Sequence, residues 1–268
     1  MRLLFIRHGE PDYELDSLTP RGKLEAEALA KIAPSLHIDH AYVSPLGRAQ
    51  ETASYTLNRL GMTAETLPWL EEFTARIDSA LVAPETGLPE LQGSFHPYYT
   101  EDGTPRKRGI WDIYPAYYCG HPEYRDPVDW TKSAITQHSD QVETLDRVWK
   151  GFDDLLAQHG YVRDDKAGAG IYRAERPNDE TIAFFCHFAI TSVFLSRLWG
   201  TSPFMPMQAL CMAPSSVTEL VTEERQEGIA VFRALRIGDI SHLAMAGLQP
   251  SFYARFCELY SNNGGCRI

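Results

Sequence analysis

Three short apolar runs dominate the hydrophobic pattern of this sequence, at residues 1–6, 39–43 and 181–186. Each run is shorter than an ordinary helix and has the length of a buried strand. The other predicted strands lie at residues 63–67, 216–221 and 229–236, the last two as antiparallel neighbours.

Helical patterns occupy much of the chain between these runs. Residues 23–33 are rich in strong helix formers, with Thr19 as the expected N-cap and Pro20 at the first helical position. Leu24, Ala28 and Leu29 would form the apolar face, and Pro34 is expected to end the helix. The other predicted helices span residues 139–159, 189–199 and 251–260.

A hairpin is predicted at residues 172–186. Pro177-Asn178-Asp179 is a typical turn sequence, and the apolar run at 181–186 would form the second arm. Strands that alternate with helical segments favour a mixed α/β fold.

Polar side chains follow the apolar runs at the points where each strand would end. Arg7-His8-Gly9 follows the first run, Arg48 would lie in the first helical turn after the second, and His187 follows the third. Open α/β sheets bind ligands outside the carboxyl ends of their strands. An arginine fork suits a phosphate or carboxylate, and an adjacent imidazole can act as a base or nucleophile.

Residues 84–130 have a different character from the rest of the chain. Proline, glycine and aromatic residues are frequent there, and helical periodicity fades. So much aromatic surface predicts an ordered insertion packed over the main domain. A lid over the active site and an aromatic subcore without a ligand role are both open interpretations.

The composition is that of a globular protein with a substantial core. The chain has 268 residues, of which 44% are hydrophobic, and a net charge of −11. This charge argues against a broad basic surface for nucleic acid or an anionic membrane. Five scattered cysteines and no evident export signal favour free thiols in the cytoplasm. Neither CxxC nor HExxH is present, so no metal or other cofactor is expected.

In this order, the motifs resemble those of the histidine phosphatase superfamily, which has the phosphoglycerate-mutase-like fold. The resemblance rests on Arg7-His8-Gly9, the Ser-Pro-Leu-Gly-Arg stretch that contains Arg48, a Leu-x-Glu at 70–72, and His187 at the end of a late strand. The segment 18–26 also matches the first helix of that family. The resemblance implies a three-layer α/β/α sandwich with a mostly parallel central sheet. It also implies one domain over residues 1–268, with the 84–130 insertion as a cap.

The resemblance further implies a role for each matched residue. His8 would be the nucleophile that forms a phosphohistidine intermediate. Arg7, Arg48 and His187 would hold the phosphoryl oxygens, and Glu72 would be the proton donor to the leaving alcohol. Glu71 remains the alternative for the acid.

Two positions depart from the family pattern. Phe188 follows His187 where glycine is usual, and this bulky side chain is expected to narrow the pocket. The loop Pro11-Asp12-Tyr13 lacks the Asn and Gly-Trp elements with which cofactor-dependent mutases hold phosphoglycerate. The sequence therefore favours a phosphatase over a mutase.

The leading prediction is a metal-independent phosphomonoesterase that acts on a small phosphorylated metabolite. The alternatives are a phosphoglycerate-mutase-type phosphotransferase and a non-catalytic protein that binds a phosphorylated ligand on the same fold. Neither a nucleic acid nor a membrane partner is expected. The oligomeric state is left open, with a homodimer among the alternatives.

Overall fold

The first apolar run forms a central strand of the computed structural model, which describes residues 1–78, 102–103, 107–110 and 115–251. The strands are β1 (Arg2–Arg7), β2 (Pro11–Asp12), β3 (Ser17–Leu18), β4 (His40–Val43), β5 (Glu65–Thr66), β6 (Arg76–Asp78), β7 (Lys107–Gly109), β8 (Tyr161–Arg163), β9 (Tyr172–Ala174), β10 (Thr181–Cys186), β11 (Val217–Gln226) and β12 (Ile229–Asp239). The helices are α1 (Pro20–Leu36), α2 (Gly47–Leu60), α3 (Pro115–Gly120), α4 (Ala134–Gln137), α5 (Gln141–Gln158), α6 (Phe188–Trp199), α7 (Phe204–Ala209) and α8 (Ser241–Met245).

Eight of these strands form one sheet in the order β5-β4-β10-β1-β11-β12-β9-β8. Strands β5, β4, β10 and β1 are parallel, while β11, β12, β9 and β8 extend the sheet in antiparallel pairs. The three apolar runs are thus neighbours in the parallel half, as their uniform hydrophobicity suggests. The predicted α/β fold class is confirmed.

The two faces of β1 pack against different helices. Leu3 and Phe5 join a core cluster with side chains of α5 and α6, whereas Leu4 and Ile6 join a second cluster with α1 and α2. Successive residues of a strand point to opposite faces, so one six-residue strand supplies both cores. Each fully buried side chain of this size contributes roughly 1.5–3 kcal/mol of transfer free energy. The result is the three-layer arrangement that the family resemblance implied.

Helix α1 differs from the prediction at two points. Thr19 is the N-cap, as predicted, and its hydroxyl accepts a hydrogen bond from Gly22 N at 3.0 Å. Pro34 does not end the helix, because a proline in the last turn removes only one intrahelical bond and Leu36 is drawn into the core. Leu24 is 50% exposed and does not belong to the apolar face.

The predicted hairpin at residues 172–186 is wrong. Strand β9 pairs with β8 and β12, whereas β10 pairs with β1 and β4. All six residues of β10 are buried, which suits a central parallel strand better than the arm of a hairpin. The predicted antiparallel pairing of β11 with β12 is confirmed.

The described part of the 84–130 insertion packs against the main core. Tyr118, Tyr124 and Trp130 are buried and each contacts the ring of Phe204. These aromatic residues therefore contribute to the core, as the subcore interpretation expects. The predicted lid over the active site lies largely in residues outside the described ranges, and both the lid and the single-domain assignment stay predictions.

The predicted terminal helix, at 251–260, also lies outside the described residues except for its first position. Among the helices that the structure describes, none combines the length and hydrophobicity needed to cross a bilayer.

Candidate active site

The carboxyl ends of three adjacent parallel strands bring the predicted site residues together. His8 follows β1 and His187 follows β10, and their ring centroids are 5.1 Å apart. Burial lowers the pKa of both imidazoles, and the charges of Arg7 and Arg48 lower the pKa of each further. The arrangement follows from the parallel register of β1, β10 and β4, which aligns their ends.

His8 is held in one tautomer. Its Nδ1 lies 2.7 Å from the carbonyl oxygen of Gly9, which can only accept a hydrogen bond, so Nδ1 carries the proton. Burial, followed by the charges of Arg7 and Arg48, holds the pKa of His8 well below its usual value. The imidazole is therefore neutral near pH 7, and the lone pair on Nε2 is available.

Three buried polar atoms at this site lack a hydrogen-bond partner among the described residues: Arg7 Nε, Arg48 Nε and His187 Nδ1. An unsatisfied buried donor costs about 1–3 kcal/mol, so such groups usually mark a place where a ligand binds. We refer to Arg7, Arg48 and His187 as the donor clamp. Its two cations suit an anion.

His187 is oriented by Ser44, which follows β4. The Ser44 hydroxyl accepts from Leu46 N at 3.2 Å and lies 2.7 Å from His187 Nε2. This contact fixes the orientation of the His187 ring, and Nδ1 is left as the ring nitrogen without a hydrogen-bond partner among the described residues. In the tautomer in which Ser44 donates to Nε2, Nδ1 carries the proton and is a free donor. Burial, with His8, Arg48 and Arg7 nearby, lowers the pKa of His187 well below its usual value.

Glu72 lies at the N-terminus of α6, next to the clamp. Its Oε1 accepts from Phe73 N at 2.9 Å and from Ile190 N, in the first turn of α6, at 3.0 Å. Burial raises the pKa of Glu72 despite these bonds and the charge of Arg7, so the carboxyl retains its proton to higher pH than a solvated glutamate does. Glu71 instead lies at the surface, 3.8 Å from Arg147.

Aromatic rings cover both arginines of the clamp. The guanidinium of Arg7 lies 5.8 Å from the centroid of the Phe188 ring, and that of Arg48 lies 5.3 Å from the Tyr13 ring. Phe188 is the first residue of α6, directly after His187. The side chain that departs from the family pattern is thus a neighbour of Arg7, within cation–π distance.

Asp16 and Thr52 also support the site, and the sequence analysis did not single them out. Asp16 accepts from Gly47 N and from Arg48 Nη1, each at 2.6 Å, and so joins the loop before α1 to the start of α2. Thr52 accepts from Gly9 N at 3.0 Å. Thr52 belongs to the same motif as Arg48, but only the fold brings it to the loop after His8.

Glu25, within the family-like stretch 18–26, also holds the loop after His8. Its carboxylate is fully buried, and Oε2 accepts from Glu10 N at 2.8 Å. The loop approaches α1 so closely that a Cβ on Gly9 would lie 2.7 Å from the carbonyl oxygen of Gly22. Two glycines are therefore needed at this contact. Since the Gly9 carbonyl fixes the His8 tautomer, Glu25 contributes to the position of the His8 side chain.

Glu25 is expected to make stability fall with pH. Burial raises the pKa of Glu25 to about 7, against a reference value of 4.5. The folded state therefore holds a proton that the unfolded chain has lost, and the free energy of unfolding decreases from about pH 4.5 to 7. The shift corresponds to about 3 kcal/mol. Urea unfolding over this range should show a flatter pH dependence for Glu25→Gln than for the wild type.

Glu27, which is exposed on the same helix, provides the control. The Glu27→Gln variant should keep the wild-type pH dependence. An unchanged slope in Glu25→Gln would mean that the buried carboxyl does not titrate as its environment indicates.

Part of the chain matches a known protein family, and its fold is similar to those of several solved structures. Residues 3–78 match the model of the histidine phosphatase superfamily (branch 1). A mutant phosphoserine phosphatase from Entamoeba histolytica, solved with phosphoserine, is 16% identical with a TM-score of 0.55, covering 90% of this chain and 98% of that one. Mycobacterial glucosyl-3-phosphoglycerate phosphatase is 17% identical with a TM-score of 0.51, covering 87% and 96%.

The α-ribazole phosphatase from Shigella flexneri is 18% identical with a TM-score of 0.50, covering 89% of this chain and 97% of that one. No curated protein sequence matches the chain. At these identities the structural likeness establishes the fold. The family match itself covers residues 3–78, the segment that contains Arg7, His8, Arg48 and Glu72.

Proposed function

We propose that this protein is a metal-independent phosphomonoesterase that works through a phosphohistidine at His8. The observation that carries the proposal is the lone pair of His8 Nε2 beside the unpartnered donors of the clamp. A neutral imidazole next to cationic donors is the combination that nucleophilic attack on a phosphoryl group requires.

In the first step, His8 Nε2 attacks phosphorus in line with the ester oxygen. The N–P bond forms as the P–O bond to the leaving group breaks, and charge on the equatorial oxygens is stabilised by the donor clamp. The Glu72 carboxyl gives its proton to the leaving oxygen, which departs as an alcohol. The raised pKa of Glu72 supports this role, because the acid must be protonated near neutral pH.

In the second step, water attacks the phosphohistidine. Glu72, now ionised, takes a proton from the water as its oxygen bonds to phosphorus, and the N–P bond breaks. Inorganic phosphate leaves, while His8 and Glu72 return to their starting protonation states. The same groups thus serve both half-reactions without a metal.

The substrate is proposed to be a small phosphorylated metabolite. Structural relatives are named for phosphoserine, glucosyl-3-phosphoglycerate and α-ribazole substrates, which supports this size class. A cytoplasmic location is proposed as well, supported by Cys119 and Cys186, which form no disulfide bond among the described residues.

The proposal is tested by phosphate release from an activated aryl phosphate in excess chelator. Turnover should be the same with and without chelator, and inorganic phosphate should match the aryl alcohol released. Activity that disappears with chelator and returns with a divalent metal would contradict the proposal. Phosphate that appears on an added alcohol acceptor instead of in solution would favour a phosphotransferase.

A further inference from the structure

Two histidines and a glutamate converge at the end of the sheet opposite the active site. His40 is the first residue of β4, Glu180 immediately precedes β10, and His159 directly follows α5. Because β4 and β10 are parallel neighbours, the residues at their amino ends lie close together, while Ser44 and His187 lie at their carboxyl ends. We call His40, His159 and Glu180 the amino-end cluster.

The cluster has the spacing of metal ligands. One ligand atom from each residue can be chosen so that all three lie within 4.8 Å of one another. His159 Nδ1 is 2.8 Å from Glu180 Oε2, and His40 Nε2 is 3.9 Å from the same oxygen. Ligands around tetrahedral Zn²⁺, at bond lengths near 2.0–2.2 Å, lie roughly 3.3–3.5 Å apart. The two distances to Glu180 Oε2, 2.8 and 3.9 Å, lie on either side of that value.

The backbone around the cluster holds its members on three separate elements. Asn178 Nδ2 donates to the carbonyl oxygen of His159 at 2.8 Å, and Glu180 N donates to Asn178 Oδ1 at 3.1 Å. The carbonyl oxygen of Glu180 accepts from Arg2 N at 2.8 Å. Only rotation of side chains is therefore needed to bring the three ligand atoms around one metal ion. The His40 side chain is 46% exposed and has room to rotate.

Tyr42 supplies the outer contact that a histidine ligand needs. Its hydroxyl lies 2.9 Å from His159 Nε2. Without metal, Nδ1 carries the proton and donates to Glu180, while Nε2 accepts from Tyr42. A metal on Nδ1 requires the other tautomer, and the Tyr42 oxygen can then accept from Nε2–H.

We propose that the amino-end cluster is a Zn²⁺ site with three protein ligands and a fourth position open to water. Two imidazole nitrogens and one carboxylate oxygen form a ligand set that suits zinc and not magnesium, which prefers oxygen ligands. The site joins β4, β10 and the end of α5. It is separate from the proposed phosphatase site, which lies at the carboxyl ends of the parallel strands.

The test is calorimetric titration of the full-length protein with Zn²⁺, and separately with Mg²⁺, in chelator-free buffer. The wild type should bind one Zn²⁺ equivalent that His40→Ala and Glu180→Gln bind at least tenfold more weakly. His37→Asn removes another exposed histidine, three residues from His40, and should bind zinc as the wild type does. Mg²⁺ should give no binding at this site.

Cobalt provides an independent readout of geometry. Co²⁺ in place of zinc should give the visible absorption of a four-coordinate site in the wild type and lose it in His40→Ala. Equal zinc stoichiometry and affinity in the wild type, His40→Ala and Glu180→Gln would overturn the proposal. An equal loss in His37→Asn would also overturn it, because binding would then be nonspecific attachment to surface histidines. Absence of zinc binding by the wild type would overturn it outright.

Discussion

Replacing His8 with alanine should reduce turnover of a phosphate ester by about a thousandfold or more, because the variant lacks the imidazole on which the proposed covalent intermediate forms. The measurement is steady-state phosphate release by His8→Ala and wild type at equal concentration. The second imidazole of the site, His187, points Nε2 to Ser44, so its orientation does not suit it to replace His8 as the nucleophile.

His37→Asn is a suitable control for this experiment. It also removes an imidazole, but from the segment between α1 and β4, and it should retain wild-type turnover in chelator. Far-UV circular dichroism should show that both variants are folded. Substantial turnover by folded His8→Ala would contradict the phosphohistidine mechanism and leave the clamp as a binding site without the proposed nucleophile.

Replacing Glu72 with glutamine should have an effect that depends on the leaving group. An alkoxide needs a proton as it departs, so hydrolysis of an alkyl phosphate should slow by about 10²–10⁴-fold. An aryl phosphate has a stable leaving group, and formation of its phosphoenzyme should slow far less. The measurement is a comparison of kcat/KM for the two substrates, which reports the first half-reaction.

Glu71→Gln is the matched control, since it makes the same change at the adjacent position. Because Glu71 lies beside Arg147 at the surface, both substrates should be hydrolysed within about twofold of the wild-type rate. Loss of alkyl phosphatase activity in Glu71→Gln, with Glu72→Gln unaffected, would reverse the assignment of the acid.

The pH dependence of alkyl phosphate hydrolysis should also test whether Glu72 is the acid. The acid acts only while protonated, so kcat/KM should fall as pH rises through the pKa of Glu72. Burial raises that pKa, which shifts the decline above the range of an ordinary glutamate. In Glu72→Gln this decline should disappear, because the glutamine does not titrate.

The sequence was sufficient to predict the central strands and the residues at their ends. Apart from polar residues at or near their starts, the runs at 1–6, 39–43 and 181–186 are apolar, and such runs occur where a strand is covered on both faces. Their ends carry Arg7-His8, Ser44 and His187, in a family-like order. The apolar runs and the motif order together therefore predicted these strands and the chemistry to expect at their ends, but not how the strands pair.

Contacts between distant segments could not be predicted in the same way. The Leu-x-Glu pattern favoured Glu72 but left Glu71 as an alternative, and the two differ in packing, since only Glu72 accepts a hydrogen bond from α6. Similarly, the sequence around Glu25 is that of an ordinary helix, and only the structure shows that Glu25 binds the loop after His8. Strand β9 pairs with β12, more than fifty residues later, whereas turn sequence alone favoured the local hairpin.

The central claim is that a phosphoryl group passes through His8, and it is tested most directly by trapping that intermediate. Wild-type protein mixed with an aryl phosphate and quenched rapidly in alkali, which preserves phosphohistidine, should yield by mass spectrometry one phosphoryl group on the peptide that contains His8. The Glu72→Gln variant should accumulate more of it, because attack of water on the phosphoenzyme also uses Glu72. A phosphoryl group on another residue, or turnover without any trapped phosphoenzyme in either protein, would contradict the account.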